Sequence, residues 1–322
     1  MIFLLFKQYP NVMLALGIIF TFAITFGGMV IFKDLLPADH GREFAVDGKL
    51  SKGKPQGAGV IFVPAFVIGA MLFAPVNIEH SVYMALVLIE MLTGYLDDRA
   101  EKPWGRLKKG LLDLFVALAL AFTYVHYNGT TFGFGNYDFT VTMPIWLFYI
   151  LSVALVWASI NVTNCADGVD GLSGTLAVVT LLSFYIADLT VDAYSNFVYI
   201  IMYFMIAVLA YLWFNAGPSI LLMGDAGSRA MGIFISIVAL KSKFPFLYIP
   251  FALVIILDGG LGLFKIFCIR VFKFNPMKNL RTPLHDHVRR NLDTGWSNGQ
   301  VVMRFALLQM VVSFAFIYLF LR

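Results

Sequence analysis

Four groups of polar residues in this chain have types and spacings suited to chemistry on a phosphate. Asp97 and Asp98 stand side by side just after the apolar run that ends Gly94-Tyr95-Leu96. Adjacent side chains on a helix point about 100° apart, so the two carboxylates can serve neighbouring ligands such as a metal and a nucleophile. A solvated helix end beside Arg99 and Lys102 is the plainer alternative, yet acids at a helix C-terminus oppose the macrodipole. Asn161, Asn164, Asp167 and Asp170 recur every three residues, and Gly168 and Gly171 permit a tight turn and close backbone approach. Asn and Asp beside Gly are ordinary turn residues too, but four in one row between two apolar runs are a more specific signal. Asn215 stands ten residues before Asp225, which lies in Met223-Gly224-Asp225-Ala226-Gly227-Ser228. Glycines at a helix N-terminus suit phosphate, and an Asp there can hold Mg2+; an N-cap role for Asp225 would explain the same pattern. His285-Asp286-His287 sits among Arg281, Arg289 and Arg290. With so few His or Cys ligands it is a poor zinc site, and it reads as a segment contacting phosphate or sugar, or as an ordinary polar loop.

These residues need elements to hold them, and the composition limits the choice. Hydrophobic residues make up 60% of the 322 and charged residues 13%, against about 45–50% and 25% in soluble domains. Ten membrane spans of about 20 residues would use roughly 200 apolar residues, close to what the chain holds. The apolar runs are Val12–Phe32, Ala58–Pro75, Val82–Leu96, Leu111–Tyr127, Met143–Ile160, Leu172–Leu189, Phe197–Phe214, Ala230–Leu240, Phe246–Ile269 and Val301–Leu321. They are long and unbroken, unlike the alternating strands of a β-barrel. Val12–Phe32 is too long for a signal-peptide core and lacks a clear cleavage site before Lys33, so it reads as a retained span. The expected fold is an all-α polytopic membrane protein of about ten transmembrane helices, a single domain over residues 1–322.

Threading ten spans in order puts alternate connections on opposite sides. Seventeen of the 23 lysines and arginines then fall on one side and four on the other, with Lys265 and Arg304 inside spans. The positive-inside rule makes the first side cytoplasmic and leaves both termini outside. All four polar groups lie on that cytoplasmic side. Outside, Thr130 to Thr142 flanks a Gly135-Asn136 turn with β-branched and aromatic residues, which predicts a small hairpin. Ile266 to Phe274 interleaves apolar and basic residues, which predicts an interfacial helix near 266–275. A net charge of +4 and a surface mostly facing lipid exclude a nucleic-acid partner. Two cysteines, Cys165 and Cys268, exclude a disulfide framework. Glu90 and Asp258 lie inside apolar runs and are the main support for a transporter, since such acids are costly unless paired.

Carboxylates, a divalent cation and cationic loops at a membrane surface suggest phosphoryl transfer to a lipid. The chain resembles the phospho-N-acetylmuramoyl-pentapeptide transferases of the polyprenyl-phosphate N-acetylhexosamine-1-phosphate transferase superfamily. The resemblance rests on Asp97-Asp98, the row from Asn161 to Leu172, Asn215 before Met-Gly-Asp-x-Gly-Ser, and Pro283-Leu284-His285-x-His287. Gly295-Trp296-Ser297 and Val301-Val302-x-Arg304-Phe305 follow, pointing to the muramoyl-pentapeptide branch. It implies ten transmembrane helices, often as a homodimer, in the bacterial cytoplasmic membrane. It also implies a Mg2+-dependent transfer of phospho-MurNAc-pentapeptide from its UDP conjugate (UDP-MurNAc-pentapeptide) to undecaprenyl phosphate, giving lipid I and UMP. By matching motif, Asp225 binds Mg2+, and Asp97 and Asp98 handle the lipid phosphate. Asn161, Asn164, Asp167, Asp170 and Asn215 line the nucleotide–sugar site, while Lys108, His285 and His287 contact phosphates or sugar.

Three positions depart from that family's pattern. The usual early lysine is missing from Ser51-Lys52-Gly53-Lys54-Pro55-Gln56-Gly57-Ala58-Gly59, with Lys52 a substitute; Asp286 replaces the centre of a His triplet; and Leu222 stands where an aromatic residue usually stacks on uracil. A phosphate monoester loses its second proton near pH 6, so the acceptor needs positioning more than a general base. Asp97 and Asp98 are therefore expected to organise the metal and acceptor. A relative using UDP-N-acetylglucosamine would share the acids, and a flippase or transporter would move substrate without releasing UMP.

Overall fold

A computed structural model of the chain describes residues 2–39, 41, 51–100, 102, 104–134, 137–190, 196–242, 244–290 and 295–321. The short α1 (Ile2–Leu5) precedes α2 (Pro10–Phe32), whose Pro at the first position is already shaped for a helix and has no amide hydrogen to leave unpaired. Then follow α3 (Gly59–Phe73), α4 (Ile78–Asp98) and α5 (Arg106–Asn128). Asn77 starts α4 by accepting the His80 amide at 2.8 Å. The expected hairpin is present as β1 (Thr131–Phe134) and β2 (Tyr137–Thr142), antiparallel with Thr131 opposite Thr142. Its Gly135-Asn136 turn lies outside the described residues, as do Arg42, Lys49, Lys243 and Arg322 of the charge count.

Beyond the hairpin come α6 (Ile145–Ala166), α7 (Leu172–Thr190), α8 (Phe197–Asn215) and α9 (Gly224–Lys241). The next apolar run is broken into α10 (Tyr248–Phe251), α11 (Leu253–Ile255), a π-helical turn (Ile256–Gly260) and α12 (Leu261–Val271), and it bends by 68° after Phe251. The chain ends in α13 (Leu284–Arg290) and α14 (Asn298–Leu321). The predicted interfacial helix near 266–275 is the end of α12, which stops at Val271. Lys273 then takes a left-handed backbone with φ 54°, which no helix can continue through.

The chain is mostly helical, but length and composition do not reproduce ten spans. Among the described residues six helices are long and apolar enough to cross a membrane, and the bent pair makes a seventh if it is one span. The three runs that fall short are α3, with 15 residues, α4, which carries four acids, and α9, which carries Asp225, Arg229 and Lys241. The reason is position. α9 is buried from Ala226 to Leu240 and packs against α3, α4, α6 and α7, so protein rather than lipid surrounds it. A helix in that position can carry polar residues that a lipid-facing helix cannot.

The two acids read as support for a transporter are both fully buried and both paired, Glu90 with Arg229 and Asp258 with His285. Neither is a free group lining a path.

Candidate functional site

The polar groups converge at one end of the α4, α5 and α9 cluster. Gly224 opens α9 with φ +66°, and a Cβ there would overlap the Asp98 carboxylate, so only glycine lets the helix start this close to α4. Asp98 accepts hydrogen bonds from the amides of Asp225 and Ala226, each at 3.1 Å, and a third from Gln56 Nε2 at 2.8 Å. Asp98 thus does from α4 the work of an N-cap, and Asp225 is released from it. A Cβ on Gly94 would strike the Asp225–Ala226 backbone, which fixes how near the two helices come.

Asp97 is buried; one carboxylate oxygen accepts the Trp104 amide at 2.6 Å and the other pairs with Lys109. The Lys109 ammonium also lies 3.1 Å from Asp225 Oδ2. Asp97 and Asp225 therefore flank one ammonium, and Asn164 bonds the Asp225 side chain. Asp97 and Asp225 around one lysine leave a local surplus of negative charge, with the Asp98 carboxyl group beside them. Lys108, the lysine expected from the motif, turns away and stacks on the Trp104 ring, 3.2 Å from its centroid. Residues 108 and 109 differ by about 100° in helical phase, enough to send one inward and the other outward.

Beside this cluster opens a cavity of about 980 Å³ lined by Asp167 to Gly171, Asn215, Lys54, Gln56, Gly224 and Arg289, among others. Its floor is tied together by the expected residues. Asn215 is buried; it accepts the Gly171 amide at 2.8 Å and donates to the Leu221 carbonyl at 3.0 Å, so it joins two loops. Asp170 accepts the Ser219 amide at 3.0 Å and stands 3.7 Å from Lys54 Nζ, which donates to Ser219 Oγ at 2.9 Å. Asp167 accepts from Ser173 at 2.6 Å. Lys54 therefore reaches the cavity, whereas Lys52 is exposed. Leu222 lines the wall, and Tyr211 is the aromatic residue among the described lining.

His285 is buried with Nδ1 2.7 Å from Asp258 Oδ2, while its amide donates to Asp258 Oδ1 at 2.8 Å. That double contact fixes the ring, and Nε2 packs on Gly168 of the cavity loop. His287 faces elsewhere, its Nδ1 accepting the Arg281 amide at 3.3 Å. Asp286 pairs with Arg281 at 3.2 Å and Arg289 at 3.5 Å. Asn161 turns from the cavity and donates to Asp113 Oδ2 at 3.1 Å.

The structure therefore brings Asp97, Asp98, Asn164, Asp225 and, at the adjoining cavity, Asp167, Asp170, Asn215 and His285 into one site. Lys108, Asn161 and His287 point away from it. Sequence reasoning missed Lys109, Lys54 and Gln56. The one signal for Lys109 was Asp113, an acid one turn further along an otherwise apolar run. An acidic cluster with surplus charge beside a cation-bearing cavity can hold a divalent cation and receive a phosphorylated ligand. Among the described residues no three or more His, Cys, Asp or Glu side chains form a metal cage by themselves.

Residues 80–243 match the glycosyl transferase family 4 profile. The chain is 38% identical to the phospho-N-acetylmuramoyl-pentapeptide-transferase of Treponema pallidum strain Nichols, over 95% of this chain and 89% of that protein. It is 25% identical to the protein of the same name from Fervidobacterium nodosum, over 84% of each chain. To that from Bartonella quintana it is 27% identical, over 89% of this chain and 86% of that one.

Proposed function

Because the chain belongs to glycosyl transferase family 4 and to the phospho-N-acetylmuramoyl-pentapeptide-transferases within it, we propose that it transfers phospho-MurNAc-pentapeptide from UDP to undecaprenyl phosphate. The products are lipid I and UMP. The observation that carries this reading is the acidic cluster of Asp97, Asp98 and Asp225 standing beside the cavity that Lys54, Gln56, Gly224 and Arg289 line. A phosphate oxygen of the lipid attacks the phosphorus attached to the sugar, the bond from that phosphorus to the bridging oxygen of UMP breaks, and UMP leaves with its charge.

The residues fit Mg2+. This ion retains several waters and takes one or two carboxylates together with phosphate oxygens, so it needs no protein-only cage. Asp225 would hold it, and the negative surplus around Lys109 favours it. When bound, it neutralises charge developing on the transferred phosphoryl group. The chain's own residues do the rest. Asp97 and Lys109 set the position of Asp225, and Asp98 fixes the start of α9. Lys54 and Arg289 offset the diphosphate, and Asp258 orients His285 toward the cavity loop. No general base is required, because the acceptor is largely dianionic at neutral pH.

The apolar groove of about 600 Å³ between α5 and α6, lined by Leu111, Leu114, Val153 and Trp157 and bounded by Arg106, supports a lipid acceptor. In this reading α3, α4 and α9 also cross the membrane, α9 enclosed by the other helices, which with the bent run makes ten. The site then faces the cytoplasm, both termini lie outside, and the enzyme works in the bacterial cytoplasmic membrane, as a homodimer by family resemblance. The test is purified protein with Mg2+ and undecaprenyl phosphate, offered UDP-MurNAc-pentapeptide or UDP-N-acetylglucosamine. UMP release with the first alone is expected. Release with the second alone, or substrate flux without UMP, overturns the reading.

A further inference from the structure

Beneath the acidic cluster lies a second charged layer that the reaction does not touch. Arg229 is 2% exposed, Glu90 0% and Asp113 2%. Arg229 Nε donates to Glu90 Oε1 at 2.8 Å, Nη2 stands 2.7 Å from the same oxygen and also pairs with Asp113 Oδ1, and Asn161 from α6 closes on Asp113 Oδ2. The placement follows helical spacing. Arg229 is four residues after Asp225 on α9, Asp113 four after Lys109 on α5, and Glu90 seven before Asp97 on α4. Each interval returns to the same helix face, about 6 Å deeper on α5 and α9 and about 10 Å deeper on α4. The same three helices that carry the reacting groups are therefore pinned to one another one or two turns below them.

Stability alone does not account for this layer. Apolar side chains of like volume hold helices as well as a buried ion network, often better. Directional, charge-assisted bonds add what apolar packing lacks, a fixed rotation and axial register. We propose that Arg229, held between Glu90 and Asp113, is a positioning residue that sets α4, α5 and α9 so that Asp97 and Asp225, with Lys109 between them, offer a divalent cation one geometry. The proposal rests on the transferase reading of the site above it.

The test replaces the layer by apolar residues, Glu90→Met, Asp113→Leu and Arg229→Met together, in the full-length protein in detergent. Mn2+ binding is followed by electron paramagnetic resonance, thermal unfolding is recorded, and UMP release gives kcat and KM. Positioning predicts an unfolding midpoint no lower than wild type. It also predicts Mn2+ affinity and kcat each down about 10- to 100-fold, with KM for the UDP substrate within about twofold. Wild-type Mn2+ affinity and kcat in the folded triple variant overturn it. Should the triple variant not fold, Arg229→Lys keeps the charge but cannot fork to both carboxylates, and the same split at about three- to tenfold is expected; wild-type values there overturn the proposal. Wild-type protein that binds Mn2+ but releases no UMP from any UDP-sugar would defeat the transferase reading alone, and the Mn2+ comparison would still decide the role of Arg229.

Discussion

Replacing Lys109 with methionine separates two roles that one side chain combines, because Met keeps the apolar stem and removes only the charge. The ammonium stands 3.1 Å from Asp225 Oδ2 and also pairs with Asp97. At an effective dielectric near 20, a unit charge pair at that distance is worth roughly 5 kcal/mol before desolvation. Lys109 is 26% exposed and Asp225 15%, so screening and lost rotamer freedom remove about half. The remaining 2–3 kcal/mol or so agrees with a typical charged hydrogen bond. If that energy holds Asp97 and Asp225 in reacting geometry, its loss lowers kcat by roughly 30- to 150-fold. The metal should respond in the opposite direction. With three acids left and no ammonium among them, half-saturating Mg2+ should fall about three- to tenfold. The assay is UMP release across a Mg2+ titration, with Lys108→Met beside it. Lys108 lies on Trp104, an exposed contact worth about 0.5–1 kcal/mol, so its loss should cost less than about fivefold. A Lys109→Met enzyme within about twofold of wild type, or a Lys108→Met enzyme that is the more damaged of the two, would refute the reasoning.

Asp225→Asn should remove Mg2+ dependence together with turnover; normal activity with an unchanged Mg2+ titration would sink that assignment. Asp98→Ala removes the acceptor for two amides at the start of α9 and should cost about 1–2 kcal/mol of stability by thermal unfolding. Asp98→Asn keeps one acceptor, so it should retain most of that stability while losing turnover, and equal stability loss in both would argue against the capping role. Asp258→Asn frees the His285 ring and should lower kcat about tenfold, measured by UMP release; an unchanged rate would show that the pair does not orient the histidine. Lys54→Met should raise KM for the UDP substrate several-fold while Lys52→Met leaves it alone, and the reverse pattern would restore Lys52 as the cavity lysine.

Much of the site was legible because its chemistry is carried by residue types that cannot sit idle near lipid. Asp97, Asp98 and Asp225 stood out by type and by falling at ends of apolar runs. Their division of labour did not, since a helix cap supplied from another helix leaves no local signature. Asp225 looked like its own N-cap, and Asp98 performs that role. The choice between Lys108 and Lys109 was a matter of helical phase, fixed by where α5 begins at Arg106 and by what faces it. Asn161 and Asn164 share a row in the sequence, yet three residues of helix turn one toward Asp113 and the other toward Asp225. The count of ten spans relied on apolar length, which fails for α9 because its neighbours are protein. The hairpin was readable from alternation and turn residues, both local properties.

The intramembrane acids argue further against a transport path. A conducting route needs charged groups that exchange partners as substrate passes. Here Glu90 is held by Arg229, Asp258 by His285, and Glu79 by Lys241 at 2.9 Å with Asn128 and Tyr83 also bonded to it. Arg229 and Lys241 lie on α9, more than three turns apart, so that single buried helix carries a cationic partner for an acid of α4 at each of two depths. Breaking either pair would strand a charge in the protein interior, which typically costs about 3–5 kcal/mol. Charge inside the bundle therefore fixes helices, and the acidic cluster that can be offered to a ligand stands at the end where α4, α5 and α9 meet beside the cavity.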